Sequence, residues 1–148
     1  MKPLQALGLL VGSGRLLLVG CLALSGCGPH TARVTGTVTL AGQPLPAAEL
    51  TFTLDGTTQT VHGKSGPDGR FWLNYPQGNG MPPGKYCIVV TRYTLPNGKP
   101  LPEGEPGEAL RANEERVRKW LVRFDRELKS GENPLQLEWN QGQPHHEP

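Results

Sequence analysis

Residues 33–40 read RVTGTVTL, and the alternation in this run restricts the fold more than any other feature of the chain. Val34, Val38 and Leu40 fall on one side with Gly36, while Thr35, Thr37 and Thr39 fall on the other. A period of two becomes one buried face and one wetted face only in an extended strand. The same period returns in Leu50, Phe52 and Leu54 against Thr51 and Thr53, and again in Phe71, Leu73 and Tyr75 against Trp72 and Asn74. Residues 58–63 are a weaker copy. Residues 84–93 are apolar on both faces, with Tyr86, Ile88 and Val90 opposed by Cys87 and Val89, which predicts a central strand. Between the runs stand turn formers, 20 Gly and 15 Pro in 148 residues, about twice the ordinary share. In Gly66-Pro67-Asp68-Gly69 the proline sets φ at the second turn position and glycine suits the fourth, so the chain should reverse there. Short alternating strands joined by tight turns predict a mainly β, antiparallel fold.

The period then changes to that of a helix. Leu110, Val117, Trp120, Leu121, Phe124 and Leu128 are spaced by threes, fours and sevens, the stripe of an amphipathic helix over residues 108–129. Glu114 with Arg118 and Glu115 with Lys119 stand four apart in the favourable order, and Ser130-Gly131 follows as a stop. Leu135, Leu137 and Trp139 then predict a last strand, and residues 141–148, QGQPHHEP, predict a disordered tail.

The amino-terminal segment has another character. Lys2 and Arg15 precede the apolar run LLLVGCLAL at 16–24, with no acidic residue before it, as in an export signal. At about 1.5 Å per residue the run covers roughly half of a ~30 Å hydrocarbon layer, too little to span it as a helix. It ends in Leu24-Ser25-Gly26 directly before Cys27, which resembles the bacterial lipobox. That resemblance implies cleavage between Gly26 and Cys27 and lipid on the Cys27 thiol; two or three acyl chains make a stable anchor where one would not. Residues 1–26 are then the signal, 27–32 a lipidated linker and 33–140 the folded domain. The alternative is a plain secreted protein in which Cys27 is incidental. Gly28, where some envelope lipoproteins carry an aspartate that retains them at the inner membrane, leaves the periplasmic side of either membrane open.

Charge and cysteine usage narrow the partners. The signal carries two of the 15 basic residues and none of the 13 acidic ones, so the mature chain is balanced. A balanced chain gives no electrostatic footprint for nucleic acid. With Cys21 in the signal and Cys27 lipidated, Cys87 has no partner for an intramolecular disulfide, and its strand predicts a small core thiol.

Three turns in order carry a wider resemblance: Gly42-Gln43-Pro44-Leu45-Pro46, Pro67-Asp68-Gly69-Arg70-Phe71 and Pro83-Gly84-Lys85-Tyr86. Over residues 33–93 the chain resembles the carboxypeptidase regulatory-like domain, most of all the version in short planctomycete lipoproteins. The resemblance implies a transthyretin-like antiparallel β-sandwich that serves as a structural or binding accessory, with no catalytic residues to carry over. Two departures are Ala47, where such domains often have Gly, and the helix predicted before the last strand.

No catalytic or metal-binding constellation stands against this reading. His30, His62, His145 and His146 are the histidines; His62 has no carboxylate or cysteine nearby in sequence, His145 and His146 have just Glu147 beside them in a tail that fixes no geometry, the serines Ser65 and Ser130 of the mature chain flank glycines in turns, and the acidic cluster Glu103, Glu105 and Glu108 lacks the spacing of a calcium loop. No cofactor is implied. The aromatic residues remain: Trp120 and Trp139 predict core positions, while Trp72 points away from Phe71 and Leu73. That face is either covered by the helix, which needs apolar surface to pack on, or open to an envelope protein, peptide or glycan; the packed state is the one predicted. The expectation is a lipid-anchored, non-enzymatic envelope protein, with the membrane as one partner through Cys27. The alternative is a carbohydrate- or peptide-binding lipoprotein using the Trp72 face.

Overall fold

The computed structural model describes residues 31–75 and 80–145. Along them run β1 (Ala32–Leu40), β2 (Gln43–Pro44), β3 (Glu49–Leu54), β4 (Thr60–Ser65), β5 (Arg70–Asn74), β6 (Gly84–Thr94), the short helix α1 (Glu105–Arg111), β7 (Arg118–Leu128), β8 (Gly131–Glu138) and β9 (Gln143–Pro144). The strands form one sheet in the order β2-β1-β5-β4-β3-β6-β7-β9, with β8 on the remaining edge of β1. The sheet is mainly antiparallel and curls into a half-barrel. β8 departs from the pattern by running parallel to β1, from Ala32↔Gly131 to Thr39↔Glu138.

The alternation read from the sequence sets the inner face. Val34 and Val38 from β1, Leu50 and Phe52 from β3, Phe71 and Leu73 from β5, and Ile88 and Val90 from β6 are all buried in one core. Each such side chain contributes about 1.5–3 kcal/mol on leaving water, which drives the curl around them. β6 lies between β3 and β7, as its two apolar faces require. The β4–β5 reversal is closed by Gly69 N–H donating to the Gly66 carbonyl at 2.9 Å and Gly66 N–H donating to the Arg70 carbonyl at 2.7 Å.

The predicted helix over 108–129 is not formed. Its amino-terminal part contributes only to α1, Glu114–Arg116 is a 3₁₀ turn, and Arg118–Leu128 is strand β7, paired with β6 along eleven residues from Gly84↔Leu128 to Thr94↔Arg118. The stripe conceals a second period: Val122, Phe124 and Leu128 lie an even number apart and are buried, while Arg123, Asp125 and Glu127 alternate outward. A helix here would have left one whole edge of β6 without a backbone partner beside a buried face, and the eleven-residue ladder removes that cost. Glu115 and Lys119 therefore sit on a turn and a strand, not on one helix face.

Two further expectations fail at the carboxyl end. The last long strand stops at Glu138, and Trp139–Gln141 is a 3₁₀ turn. The tail predicted as disordered is partly ordered: β9 pairs with β7 through Val122↔Pro144 and Arg123↔Gln143, and His145 N–H donates to the Leu121 carbonyl at 3.1 Å. Gly142 makes the crossing close, since a Cβ there would stand 2.8 Å from Val122 and 2.9 Å from Phe124. The strap thus runs from the end of β8 back to β7, across strands that are neighbours in sequence and lie at opposite ends of the sheet. Residues 146–148 lie outside the described residues.

Candidate functional site

A recess opens at the end of the half-barrel where β1, β4 and β6 meet their turns. It is a cleft of about 540 Å³ walled by residues 43–47, 65–67 and 100–104. Two of the walls are the same sequence used twice. Gly42-Gln43-Pro44-Leu45-Pro46 follows β1, and Gly98-Lys99-Pro100-Leu101-Pro102 follows β6. Both glycines take left-handed backbone, φ 76° at Gly42 and 82° at Gly98, and each turn sends a Pro-Leu-Pro stretch along the cleft. The second is tied back by Leu95 N–H donating to the Lys99 carbonyl at 2.9 Å. The repeat is a signal in the sequence, and only its first copy was read there.

The first wall is strained. Ala41, with φ 50°, shares the β1–β2 turn with Gly42, and Ala47, with φ 55°, follows Pro46. Left-handed backbone costs an ordinary L-residue about 1–2 kcal/mol. The departure noticed at Ala47 is thus a position where the chain geometry favours glycine. Ala47 N–H donates to the Ser65 carbonyl at 3.0 Å, and Ser65 in turn donates from its hydroxyl to the Leu45 carbonyl at 2.7 Å while accepting from Ala48 N–H at 2.9 Å.

α1 lies over the outer face beside the cleft, held by charges more than by apolar contact. Its buried residue is Gly107, where any Cβ would collide with the Pro102 carbonyl. Lys64 Nζ meets Glu108 Oε1 at 2.7 Å. Arg111 reaches Glu49 Oε1 through Nη1 at 3.3 Å, donates from Nη2 to the Ala47 carbonyl at 3.1 Å, and sits 5.6 Å over the Tyr93 ring. Its Nε is buried with no hydrogen-bond partner. The Lys64 hydrogen bond and charge, with Arg111 behind them, hold the Glu108 carboxyl below the usual glutamate range. Burial first, then the Glu49 carboxylate, pushes the Tyr93 phenol up. Glu108 stands on α1 and stays well exposed while paired with Lys64.

Trp72 is 56% exposed, so the predicted packed state is overturned: among the described residues no long helix covers it. Trp120, predicted as core, is 49% exposed. It precedes the inward-facing Val122 near the start of β7, and its Nε1 donates to Thr94 Oγ1 at 3.1 Å. Trp139 is partly buried against the core, as predicted. Trp72 adjoins the cleft, as the cross-strand partner of Lys64 and close over Gly66, both of which line it. Trp120 does not share that face: the register runs Trp72–Lys64–Glu49–Thr91–Leu121, which puts Trp120 on the opposite side of the sheet. Arg92, Lys64 and Arg111 were not legible as site residues, since none has a chemically distinctive spacing.

Elsewhere the surface offers less. Cys87 is half-buried rather than in the core, beside Arg123 and Asp125 in a shallower recess of about 350 Å³. Burial raises the Cys87 thiol pKa against the opposing pull of Arg123, which keeps it protonated and weakly nucleophilic. His62 is exposed between Thr51 and Thr60, each 3.3 Å away. Among the described residues no group of three His, Cys, Asp or Glu side chains could hold a metal ion, and no helix is long and apolar enough to cross a membrane. Gly26, Cys27, His30 and His146 lie outside the described residues. Compared with known proteins, the chain matches no family model, no curated protein and no solved structure.

Proposed function

We propose that this protein is a non-enzymatic binding accessory of the bacterial cell envelope, held on the periplasmic side of a membrane by lipid on Cys27. The observation that carries the binding role is the exposed indole of Trp72 beside a formed cleft, a costly use of apolar surface for a purely structural module. The anchor rests on Leu24-Ser25-Gly26-Cys27 at the end of the apolar run, and β1 starts at Ala32, so a short linker would keep the domain close to the bilayer. The curled sheet is compatible with the two leaves of a transthyretin-like sandwich in the manner of carboxypeptidase regulatory-like domains, with β8, β1 and β5 in one leaf and β3, β6 and β7 in the other. Mass spectrometry of detergent-extracted protein tests the anchor: the expected product begins at an acylated Cys27, and Cys27→Ala releases the domain or stalls the precursor. An unmodified Cys27 within a longer soluble chain refutes it.

A further inference from the structure

We infer that residues 101–113 form a lid over the cleft, latched shut through Arg111 and Glu108 and able to lift from a fixed base at Thr94; the lid regulates access to the cleft and rests on the binding role proposed above. Strands β6 and β7 are paired to their last residues, Thr94↔Arg118, so the sheet needs only a tight turn between them. The chain makes a long excursion instead. It is pinned where it leaves and where it returns: Pro100 bridges to Thr94 on the edge away from Arg118, which sets the two ends about 10 Å apart at ~4.8 Å per strand. Thr94 itself is buried. An excursion with fixed, neighbouring ends can move as one piece and leave the ladder it departs from intact.

Little apolar burial holds this piece down. No residue of 101–113 belongs to the buried core, residues 102–106 are exposed, and Gly107 is the buried position of α1. The helix has seven residues and an N-cap, Gly104, without a side-chain cap, so it gains little from its own hydrogen bonds. Those bonds stay within the segment, from Glu108 N–H to the Gly104 carbonyl and from Ala112 N–H to the Glu108 carbonyl, both at 3.2 Å. The contacts that fasten it to the sheet are polar: Lys64 Nζ on Glu108 at 2.7 Å, Arg111 on Glu49 at 3.3 Å and on the Ala47 carbonyl at 3.1 Å, with the guanidinium over Tyr93. Segments with few buried apolar contacts open well below the free energy of global unfolding. Closure also leaves Arg111 Nε buried and unpaired, a donor that water satisfies once the helix lifts.

The same piece is one wall of the cleft. Leu101, Pro102, Gly107 and Arg111 form that side, and residues 43–47 and 65–67 form the other. The second side is tied into the sheet, with Ser65 donating to the Leu45 carbonyl and accepting from Ala48 N–H. One wall is therefore fixed and the other hinged. Arg111 is the tie between them, because the Ala47 carbonyl it bonds ends the first Gly-x-Pro-Leu-Pro turn. Leu45 lines the cleft and is buried while the lid is shut. The closed cleft of about 540 Å³ falls within the ~300–1,000 Å³ of formed ligand sites, so its occupant would lie under the lid and enter only when the latch is released.

The test uses the full chain purified in detergent and reads amide hydrogen exchange on the unaltered protein, together with maleimide labelling, peptide by peptide, of a Leu45→Cys variant. The amides of Glu108, Ala112 and Asn113 should exchange as a group, at least about tenfold faster than those of Val90 and Val122 in β6 and β7. Arg111→Ala, or salt raised to about 1 M where the screening length is about 3 Å, should speed that exchange and the labelling at position 45 by about tenfold or more. Val90, Val122 and the labelling of Cys87 should not change. Glu108→Gln should act in the same direction and less, as the loss of one exposed pair. The inference is overturned if residues 107–113 exchange only as slowly as β6 and β7, or if Arg111→Ala and salt leave both readouts unchanged. It is also overturned if Arg111→Ala accelerates Val90 and Val122 equally, which makes Arg111 a tie of the whole domain. Neither readout uses a ligand or the lipid, so such a failure leaves the binding role and the anchor standing, while an unmodified Cys27 beside a lid that opens would remove the anchor alone.

Discussion

Strands β1 to β6 and the segment from α1 to β9 differ in how plainly one periodicity is written in them. In the first region β1 and β3 alternate a small or polar outward residue with an apolar inward one, so the Thr35, Thr37 and Thr39 face leaves no second reading. In the second region apolar residues occupy both parities: Leu121 next to Val122, with Trp120 on the other side. Such a run satisfies a helical stripe and a strand at once. Local pattern cannot choose between them, and the choice is made by the unpaired edge of β6. Where a neighbour needs backbone partners, the tertiary contact outweighs the propensity of the segment itself.

The sharpest way to break this comparison is Val122→Asp against Trp120→Ala. Val122 is outside the helical stripe yet 6% exposed on β7, so a buried, unpaired carboxylate there should cost about 4 kcal/mol, enough to unfold much of the protein. Trp120 is a member of the stripe but surface-lying, and its truncation should cost less than about 1 kcal/mol. Urea unfolding measures both, and the reverse order would restore the helix.

Half of the site was legible and half was not, for the same reason. Trp72 could be placed on an outward face because Phe71 and Leu73 flank it in a clean alternation, but its exposure depended on the fate of residues 108–129. The first Gly-x-Pro-Leu-Pro turn stood out beside a clear strand. Arg92, Lys64 and Arg111 are ordinary charged residues in sequence, and only the curl of the sheet brings them to one recess.

The strap sharpens the contrast next. Deleting residues 142–148 removes β9 and uncovers Val122 and Phe124, which Gly142 closely overlies. Denaturation should show a loss of roughly 1–3 kcal/mol, the scale of one exposed apolar side chain. A disordered tail would give no change. In the first region the expected effect has the opposite sign: Ala47→Gly relieves left-handed backbone and should raise stability by up to about 1 kcal/mol, since the relief is partly offset by the freer unfolded chain. A loss of stability would mean that the alanine methyl group packs more usefully than its φ costs.

The smallest effect joins the two regions. Thr39 donates to Glu138 Oε2 at 2.8 Å, and the amides of Gly42 and Ala41 donate at 3.1 and 2.9 Å, clamping the end of β8 onto the β1–β2 turn. These bonds, with Thr39 the largest cause, hold the Glu138 carboxyl below its ordinary range. The folded state therefore binds this proton less readily than the unfolded chain does. Its stabilisation is present above the unfolded glutamate pKa of about 4.3 and fades as pH falls through the lower folded value. Glu138→Gln should flatten that part of the acid limb of the stability profile, and an unaltered limb would show that the clamp contributes nothing.

The account turns on residues 118–128 being the strand that completes the sheet and leaves Trp72 uncovered. Nuclear magnetic resonance of the full chain tests this most directly. Cross-strand backbone contacts should follow the register Tyr86–Arg126, Ile88–Phe124 and Val90–Val122. An unbroken series of contacts between residues three apart through 118–128, with no contact to β6, would contradict it.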